Sequence, residues 1–300
     1  MSPKLEYLPA ERSFLDPIRA GASDPGAARA VVIPFGLEAS VSYGVGTAAG
    51  PAAILRASQQ LELYDEELGR EPYLDYGVAA LAETAIENGI EPALRQLEAT
   101  VEATLGRGKF PFVLGGEHAL TAGAIRPFTA RHKDLVVVQF DAHADLRDGY
   151  QGQNFSHAAA MRRVLDHPNV SLVSIGIRAI SKAEAEFYQS NRDRIAIYYA
   201  QDQARWDPQE MASRLRGRPV YITFDIDALD AGVMPATGTP TPGGLSYGQA
   251  LAILRDVSRS GDVVGADLVE FAPIAGLHAY DYTAAALAYK MLSYALCRGA

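Results

Sequence analysis

The chain has 300 residues, of which 48% are hydrophobic and 21% are charged, a composition typical of globular proteins. Its formal net charge of −9 argues against nucleic-acid binding, which depends on a basic surface. Its N-terminal residues lack the apolar run of a signal peptide, and no stretch is apolar for long enough to span a membrane. The single cysteine, Cys297, cannot form an internal disulfide, so we expect a cytoplasmic protein without a membrane partner.

Short apolar runs rich in β-branched residues alternate with helical segments along the chain. The predicted strands are 29–34, 74–79, 110–114, 134–140, 170–175, 194–198, 219–224 and 262–269. The predicted helices are 50–61, 91–105, 118–131, 181–191, 207–216, 246–259 and 281–297. Several strands are continuously apolar, as expected where helices cover both faces of a sheet. This alternation predicts an α/β fold with a mostly parallel sheet of about eight strands, and the absence of a linker predicts a single domain, 1–300.

Three predicted strands are followed directly by residues that can bind metal ions. These segments are Gly115-Gly116-Glu117-His118, Asp141-Ala142-His143-Ala144-Asp145 and Asp225-Ile226-Asp227. In the last two segments the acids and histidine alternate, so on an extended backbone their side chains point to one side. Because open α/β sheets bind ligands at the carboxyl ends of their strands, two histidines and four aspartates are expected at one edge.

Four carboxylates at one edge would repel one another, and two divalent cations would cancel their charge. Mixed oxygen and imidazole ligands suit manganese, with zinc, nickel or iron as alternatives. Taken alone, each motif has a simpler interpretation: Asp141 or Asp145 could cap a helix, and Asp225 with Asp227 could bind one magnesium ion. Their occurrence together in one chain favours a two-metal site.

These motifs resemble those of the ureohydrolases, the family of arginases, agmatinases and formimidoylglutamases. GGEH at 115–118, DAHAD at 141–145 and TFDIDALD at 223–230 match the metal-ligand motifs of the family. Further matches lie at 42–55 (SYGVGTAAGPAAIL), 236–244 (ATGTPTPGG) and 265–273 (GADLVEFAP), so the resemblance is nearly full-length. It implies a three-layer α/β/α fold, a centre of two Mn²⁺ ions and a homo-oligomer, usually a trimer or hexamer.

The resemblance also implies a role for each site residue. The metal ligands would be His118, Asp141, His143, Asp145, Asp225 and Asp227. Asp145 would also orient the attacking hydroxide, Glu270 would bind the substrate guanidinium, and His157 would shuttle protons. A planar guanidinium fits a carboxylate in bidentate fashion, and histidine suits proton delivery to a departing amine. Without the resemblance, His157 could equally be a helix-start residue that is bonded to the backbone.

The loop at 146–156 is short, which favours a small cationic guanidino substrate without an amino-acid headgroup, such as agmatine, cut to urea and putrescine. Asp148 could pair with the ammonium group of agmatine, whereas Arg147 could pair with the carboxylate of guanidinobutyrate or formimidoylglutamate. Both charges could also simply be solvated. Arginine and guanidinopropionate are further alternatives within the class.

Two other classes of protein are less consistent with the sequence. A catalytically silent partner subunit would be expected to lack a metal ligand, and here the predicted set is complete. A phosphate-transferring metalloenzyme would need a glycine-rich loop with a lysine, which GVGTAAG at 44–50 does not contain.

Overall fold

The structure is a computed structural model that describes residues 3–15 and 23–297. In that part of the chain one sheet has eight strands: β1 Ala30–Phe35, β2 Val78–Ala80, β3 Phe110–Gly115, β4 Leu135–Phe140, β5 Val170–Ile177, β6 Ile195–Tyr199, β7 Pro219–Asp225 and β8 Asp262–Val269. Their order across the sheet is β2-β1-β3-β8-β7-β4-β5-β6, and every neighbouring pair is parallel. The predicted parallel sheet is therefore confirmed.

Helices cover both faces of the sheet. They are α1 Gly50–Ser58, α2 Tyr73–Tyr76, α3 Ile90–Leu105, α4 Thr121–Ala124, α5 Arg126–Arg131, α6 Ala160–Leu165, α7 Lys182–Ser190, α8 Pro208–Leu215, α9 Tyr247–Ser260 and α10 His278–Leu296. Buried residues of α1, α2, α8, α9 and α10 form one core, and those of α3 to α7 form the other. None of the helices in the described ranges is long and apolar enough to cross a lipid bilayer.

Strand β4 illustrates how the two cores arise from one apolar run. Val136, Val138 and Phe140 belong to one core, whereas Leu135 and Val137 belong to the other. Successive side chains of a strand point to opposite faces, so a strand between two helical layers is apolar at nearly every position. The three-layer α/β/α arrangement implied by the resemblance is thus confirmed.

Two predicted elements differ from the structure, and one helix was not predicted. Half of the strand predicted at 74–79, residues 74–76, lies in helix α2. Gly77 follows the helix with φ of 61°, and only Val78–Ala80 is extended. The helix predicted at 118–131 is divided into a 3₁₀ turn, α4 and α5, because Pro127 has no amide hydrogen to continue the helical bonding. Helix α6 was not predicted, since six residues are too few for a helical period to emerge.

The strand order brings the candidate site residues to one place. Strands β3, β8, β7 and β4 are neighbours at the centre of the sheet, and all four end at the same edge. His118, Glu270, Asp225 and Asp141 lie at or just after those ends. Strands β3 and β4 are consecutive in the sequence, yet β8 and β7 lie between them in the sheet.

Candidate active site

His118 faces three carboxylates with one ring nitrogen. Its Nδ1 atom lies 3.1 Å from Asp141 Oδ2, 3.1 Å from Asp145 Oδ2 and 3.4 Å from Asp225 Oδ2. This nitrogen is buried and makes no hydrogen bond of normal geometry. A buried ring nitrogen without a hydrogen-bond partner that faces three carboxylate oxygens is the arrangement expected around a bound cation.

The other ring nitrogen of His118 is held by polar side chains beneath the site. His118 Nε2 lies 2.8 Å from Thr223 Oγ1, and Thr223 donates its own proton to the buried carboxylate of Asp267 at 2.6 Å. Thr223 must therefore accept a hydrogen from Nε2, which leaves the lone pair of His118 on Nδ1. Such support of the second nitrogen is typical of histidines that bind metals.

A second group of ligand atoms adjoins the first. His143 Nδ1 lies 3.0 Å from Asp227 Oδ2 and 3.6 Å from Asp141 Oδ1. One group is His118, Asp141 and Asp145, the other is Asp141, His143 and Asp227, and within each the ligand atoms lie within 4.8 Å of one another. Asp141 belongs to both groups, so it would contribute to holding both metal ions. The structure thus brings all six predicted ligands together, while their role as ligands stays a prediction.

Several groups in and beside this cluster have raised pKa values. Burial and repulsion from Asp141 raise the pKa of Asp145 to about 6, and burial raises the pKa of Glu270 to about 8. Burial opposes a charge on His143, yet hydrogen bonds to Asp141 and Asp227 raise its pKa to about 12. Carboxyl groups that burial keeps protonated are groups whose protons divalent cations could replace. The residues present therefore fit a pair of divalent metal ions.

Two predicted site residues have a strained backbone. Asp145 and Glu270 have φ of 51° and 63°, and they are two of four non-glycine residues in the described ranges with positive φ. Glu270 is held in place because its amide donates to Gly116 O at 2.8 Å and its Oε1 atom accepts the His118 amide hydrogen at 2.7 Å. Strain of this kind concentrates at functional sites, which supports a role for both residues.

His157 lines a cavity of about 130 Å³ together with His143, Asp145, Asp225, Asp227 and Glu270. It is the first residue of the 3₁₀ turn that precedes α6. Its Nε2 atom lies 2.7 Å from Ser42 Oγ and its Nδ1 atom 3.2 Å from Ser40 Oγ. Burial lowers the pKa of His157 to about 4, so the imidazole is neutral near pH 7 in the metal-free protein. Both ring nitrogens contact side chains, which distinguishes His157 from a histidine satisfied by the backbone alone.

The loop before α1 contributes residues for which the sequence carried little signal. Glu38 Oε2 accepts the amide hydrogens of Gly46 at 2.8 Å and Ala48 at 3.0 Å, which closes the loop at its base. At its tip, the Gly44 amide donates to Gly238 O at 3.1 Å. In the sequence, Ser40 and Ser42 look like ordinary loop residues. The only indication that this loop is functional was the match to ureohydrolases at 42–55, which begins at Ser42.

The two loop charges considered for substrate selection occupy different surroundings. Asp148 bonds to Arg163 at 2.6 Å, is 68% exposed and does not line the cavity, so the structure gives no support to its pairing with a substrate ammonium. Arg147 does line the cavity. Its guanidinium lies 5.0 Å from the centre of the Tyr150 ring and 3.8 Å from the Glu184 carboxylate.

Comparison with known proteins gives consistent matches over nearly the whole chain. Residues 28–297 match the model of a family described as the Arginase family. The chain is 39% identical over 277 residues to the N(1)-aminopropylagmatine ureohydrolase of Synechocystis, covering 89% of each chain. It is 35% identical over 258 residues to the agmatinase of Bacillus subtilis, covering 82% of this chain and 84% of the relative. The agmatine ureohydrolase of Thermoplasma volcanium has a similar structure, with a TM-score of 0.82, 30% identity and coverage of 92% and 93%.

Proposed function

The chain belongs to the arginase family and is a ureohydrolase that acts on guanidino compounds, and we propose that its substrate is agmatine, released as urea and putrescine. The observation that carries this proposal is the cavity in which Glu270, His157 and the aspartates of the candidate metal cluster meet. The similar proteins named above act, by their names, on agmatine or on an aminopropyl derivative of it, which supports the choice.

Glu270 is the residue proposed to hold the guanidinium group. Its Oε1 atom accepts the His118 amide hydrogen, which orients the carboxylate and leaves Oε2 for the substrate. A guanidinium is planar and always protonated, so it gains most from a carboxylate held in a fixed plane inside a buried site. Asp145, Asp225 and Asp227 line the same cavity and add to its preference for a cation.

The six histidine and aspartate residues of the cluster are proposed to hold two divalent metal ions, with manganese first and nickel, zinc or iron as alternatives. When bound, a pair of such ions supplies a nucleophile near neutral pH by lowering the pKa of water. Asp145 is proposed to orient that nucleophile toward the guanidinium carbon, because its carboxylate lies both in the cluster and on the cavity wall.

His157 is the proposed donor of the proton that the departing amine needs. It lies on the cavity wall, and its ring nitrogens contact the hydroxyls of Ser40 and Ser42 rather than a carboxylate. A histidine whose ring is held by neutral hydroxyls can change its protonation without breaking a structural ion pair.

A second candidate substrate is N(1)-aminopropylagmatine. The name and the 39% identity of the Synechocystis relative favour it. The rim of the cavity carries Tyr43, which is 86% exposed, so a longer amine could extend past it toward solvent.

The test is a substrate panel with manganese-loaded protein and a metal-stripped control. Agmatine, N(1)-aminopropylagmatine, arginine, guanidinobutyrate, guanidinopropionate and formimidoylglutamate are assayed for urea, or for formamide with the last. We expect the highest kcat/KM for agmatine. If kcat/KM is at least about tenfold higher for N(1)-aminopropylagmatine than for agmatine, then the aminopropyl compound is the substrate instead. Each factor of ten in kcat/KM corresponds to about 1.4 kcal/mol of preference. Turnover of guanidinobutyrate alone would refute the proposal and direct attention to Arg147, with Arg147→Gln as the control.

We also propose that the protein is a homo-oligomer, as the resemblance to ureohydrolases implies. Light scattering coupled to size exclusion would give a trimer or hexamer if the proposal holds and a monomer if it does not.

A further inference from the structure

Glu117 is a fully buried carboxylate beside a predicted metal ligand, yet it does not face the metal cluster. Its oxygens accept three hydrogen bonds from the loop before α1: the amides of Ala39 at 2.8 Å and Ser40 at 2.6 Å donate to Oε2, and the Ser40 hydroxyl donates to Oε1 at 2.9 Å. No arginine or lysine forms an ion pair with Glu117 in the described ranges. Burying a carboxylate without a cation is costly, and these three hydrogen bonds from one loop offset that cost.

The backbone around Glu117 is built for close contact with this loop. An added Cβ atom at Gly116 would overlap the carbonyl oxygen of Leu37. The Glu117 amide donates to the same Leu37 oxygen at 2.7 Å. The end of β3 and the loop that carries Ser40 are therefore joined directly.

Ser40 links Glu117 to His157, and its hydroxyl has only one hydrogen to donate. Ser40 Oγ contacts Glu117 Oε1 at 2.9 Å, the backbone N–H of His157 at 3.0 Å and the ring Nδ1 of His157 at 3.2 Å. A carboxylate can only accept, so the hydroxyl hydrogen points to Glu117. The two lone pairs of Ser40 Oγ remain for His157, and the backbone N–H of His157 occupies one of them. The contact with Nδ1 is then a hydrogen bond only if a neutral His157 carries its ring hydrogen on Nδ1.

We propose that Glu117 is a positioning residue that acts through Ser40 to keep the ring hydrogen of His157 on Nδ1. The Nε2 atom, which lies 2.7 Å from Ser42 Oγ, is then the atom that takes up and releases the proton. This inference rests on the proposed role of His157 as proton donor. It adds a residue outside the cavity wall that decides which nitrogen of His157 performs the transfer.

The variant Glu117→Gln tests this directly because it keeps the size of the side chain and reverses the direction of one bond, the one with the Ser40 hydroxyl. The carbonyl oxygen of the new amide would accept from the Ala39 and Ser40 backbone amides, so its NH₂ group would donate to Ser40 Oγ. The Ser40 hydroxyl would then donate to His157 Nδ1, and the ring hydrogen would move to Nε2.

The tautomer is measured by NMR on ¹⁵N-histidine-labelled protein loaded with zinc, which is diamagnetic. The signals of His157 are identified by their loss in His157→Ala. We expect the Nδ1–H form in the unmodified protein and the Nε2–H form in Glu117→Gln. The Nε2–H form in the unmodified protein, or the same tautomer in both proteins, would overturn the proposal.

Kinetics of the manganese-loaded protein give a second readout. General acid–base catalysis contributes about 10²–10⁴-fold, so a misplaced proton should lower kcat by about 10- to 100-fold in Glu117→Gln, with KM changed less than about threefold. Ser40→Ala should lower kcat similarly, and Ser40→Thr, which keeps the hydroxyl, should retain it within about threefold. The double variant should lose no more than the worse single variant, because both act through one hydroxyl. If the fold-losses in kcat of the two single variants multiply in the double variant, Glu117 and Ser40 act independently, and the proposal is refuted.

The remaining outcomes separate this inference from the proposed function. Full activity in His157→Ala would remove the role of His157 and with it the proposed mechanism. If His157→Ala is inactive while Glu117→Gln and Ser40→Ala are fully active, the role of Glu117 and Ser40 is refuted and the proposed role of His157 stands. Loss of bound metal in Glu117→Gln, measured by elemental analysis, would show that Glu117 supports His118 instead, and this too would overturn the inference.

Discussion

Asp225 occupies the last position of β7, and its two carboxylate oxygens have different neighbours. Oδ1 accepts the Asp227 amide hydrogen at 2.9 Å, whereas Oδ2 lies 3.4 Å from His118 Nδ1. The carboxylate is thus oriented by its own chain and directed into the cluster. Burial and repulsion from Asp227 raise its pKa well above the ordinary value, as expected of a carboxylate that needs a cation.

Replacing Asp225 by asparagine keeps its shape and removes its charge. We expect fewer than two metal ions per chain and a kcat at least about 100-fold lower, since even groups that only support metal ligands are worth about 10–100-fold. Elemental analysis and the urea assay measure the two effects. Asp193→Asn, on the exposed turn after α7, is the matched control and should change neither. Two tightly bound metals in Asp225→Asn would contradict the ligand assignment.

His157 differs from Asp225 because its contacts are hydroxyls rather than the carboxylates of the cluster. His157→Ala should therefore lower kcat by about 10²–10⁴-fold while both metals remain bound. The comparison of metal content with turnover in the same preparation is decisive. If the variant loses metal, His157 has been assigned to the wrong role.

Among the secondary-structure elements, the end of β3 connects the most parts of the site. The carbonyl oxygen of Gly116 accepts a hydrogen bond from the amide of Glu270, which follows β8, and the Gly116 amide donates a hydrogen bond to Phe35 O at the end of β1. The two residues after Gly116 are Glu117 and His118. This close contact of three strand ends is possible because residue 116 has no side chain.

Gly116→Ala should disturb the site through this element. The added methyl group would overlap the Leu37 backbone, which cannot yield as a flexible side chain would. Overpacking typically costs about 1–3 kcal/mol, so we expect a lower free energy of unfolding in urea, accompanied by weaker metal binding. Gly248→Ala in α9 has open space around the new methyl group and should be neutral or stabilising. Unchanged stability and metal binding in Gly116→Ala would argue against a tight junction here.

At the scale of the whole molecule, the buried cluster links stability to pH and to metal. In the metal-free protein the pKa is raised to about 6 for Asp145, about 8 for Glu270 and about 12 for His143. Each folded-state pKa exceeds the value in the unfolded chain, so these groups stabilise the fold at low pH and lose that contribution as pH rises. The pKa of Asp141 is lowered by bonds to His118 and His143 against its burial, and its contribution is lost only in stronger acid.

We therefore expect the Tm of metal-free protein to fall as pH is raised from about 5 to about 8. Added manganese should raise Tm at both pH values, and more at the higher one, because cations and protons compete for the same carboxylates. Differential scanning calorimetry with chelator-treated and reloaded protein measures both trends. A metal-free Tm that increases over this range would contradict the raised pKa values.

The sequence by itself determined the features that depend on local pattern. Apolar runs such as 134–140 predicted strands buried on both faces, and the acids and histidines that follow them predicted a metal-binding edge. These predictions succeed because side-chain alternation and the position of a residue at a strand end depend only on neighbouring residues. Where a local pattern was ambiguous, as at 74–79, the strand prediction holds for 78–79 and was wrong for 74–76, because a buried helical turn and a short strand have similar composition.

Only the tertiary structure decided which distant segments meet. The insertion of β8 and β7 between β3 and β4 brings Glu270 to the His118 amide, 152 residues away in the sequence. The loop before α1 folds over His157 and supplies Ser40, 117 residues away, while Asp148 turns to Arg163. Such partners are selected by packing over the whole chain and by the need to satisfy buried polar groups, neither of which is encoded in a short stretch of residues.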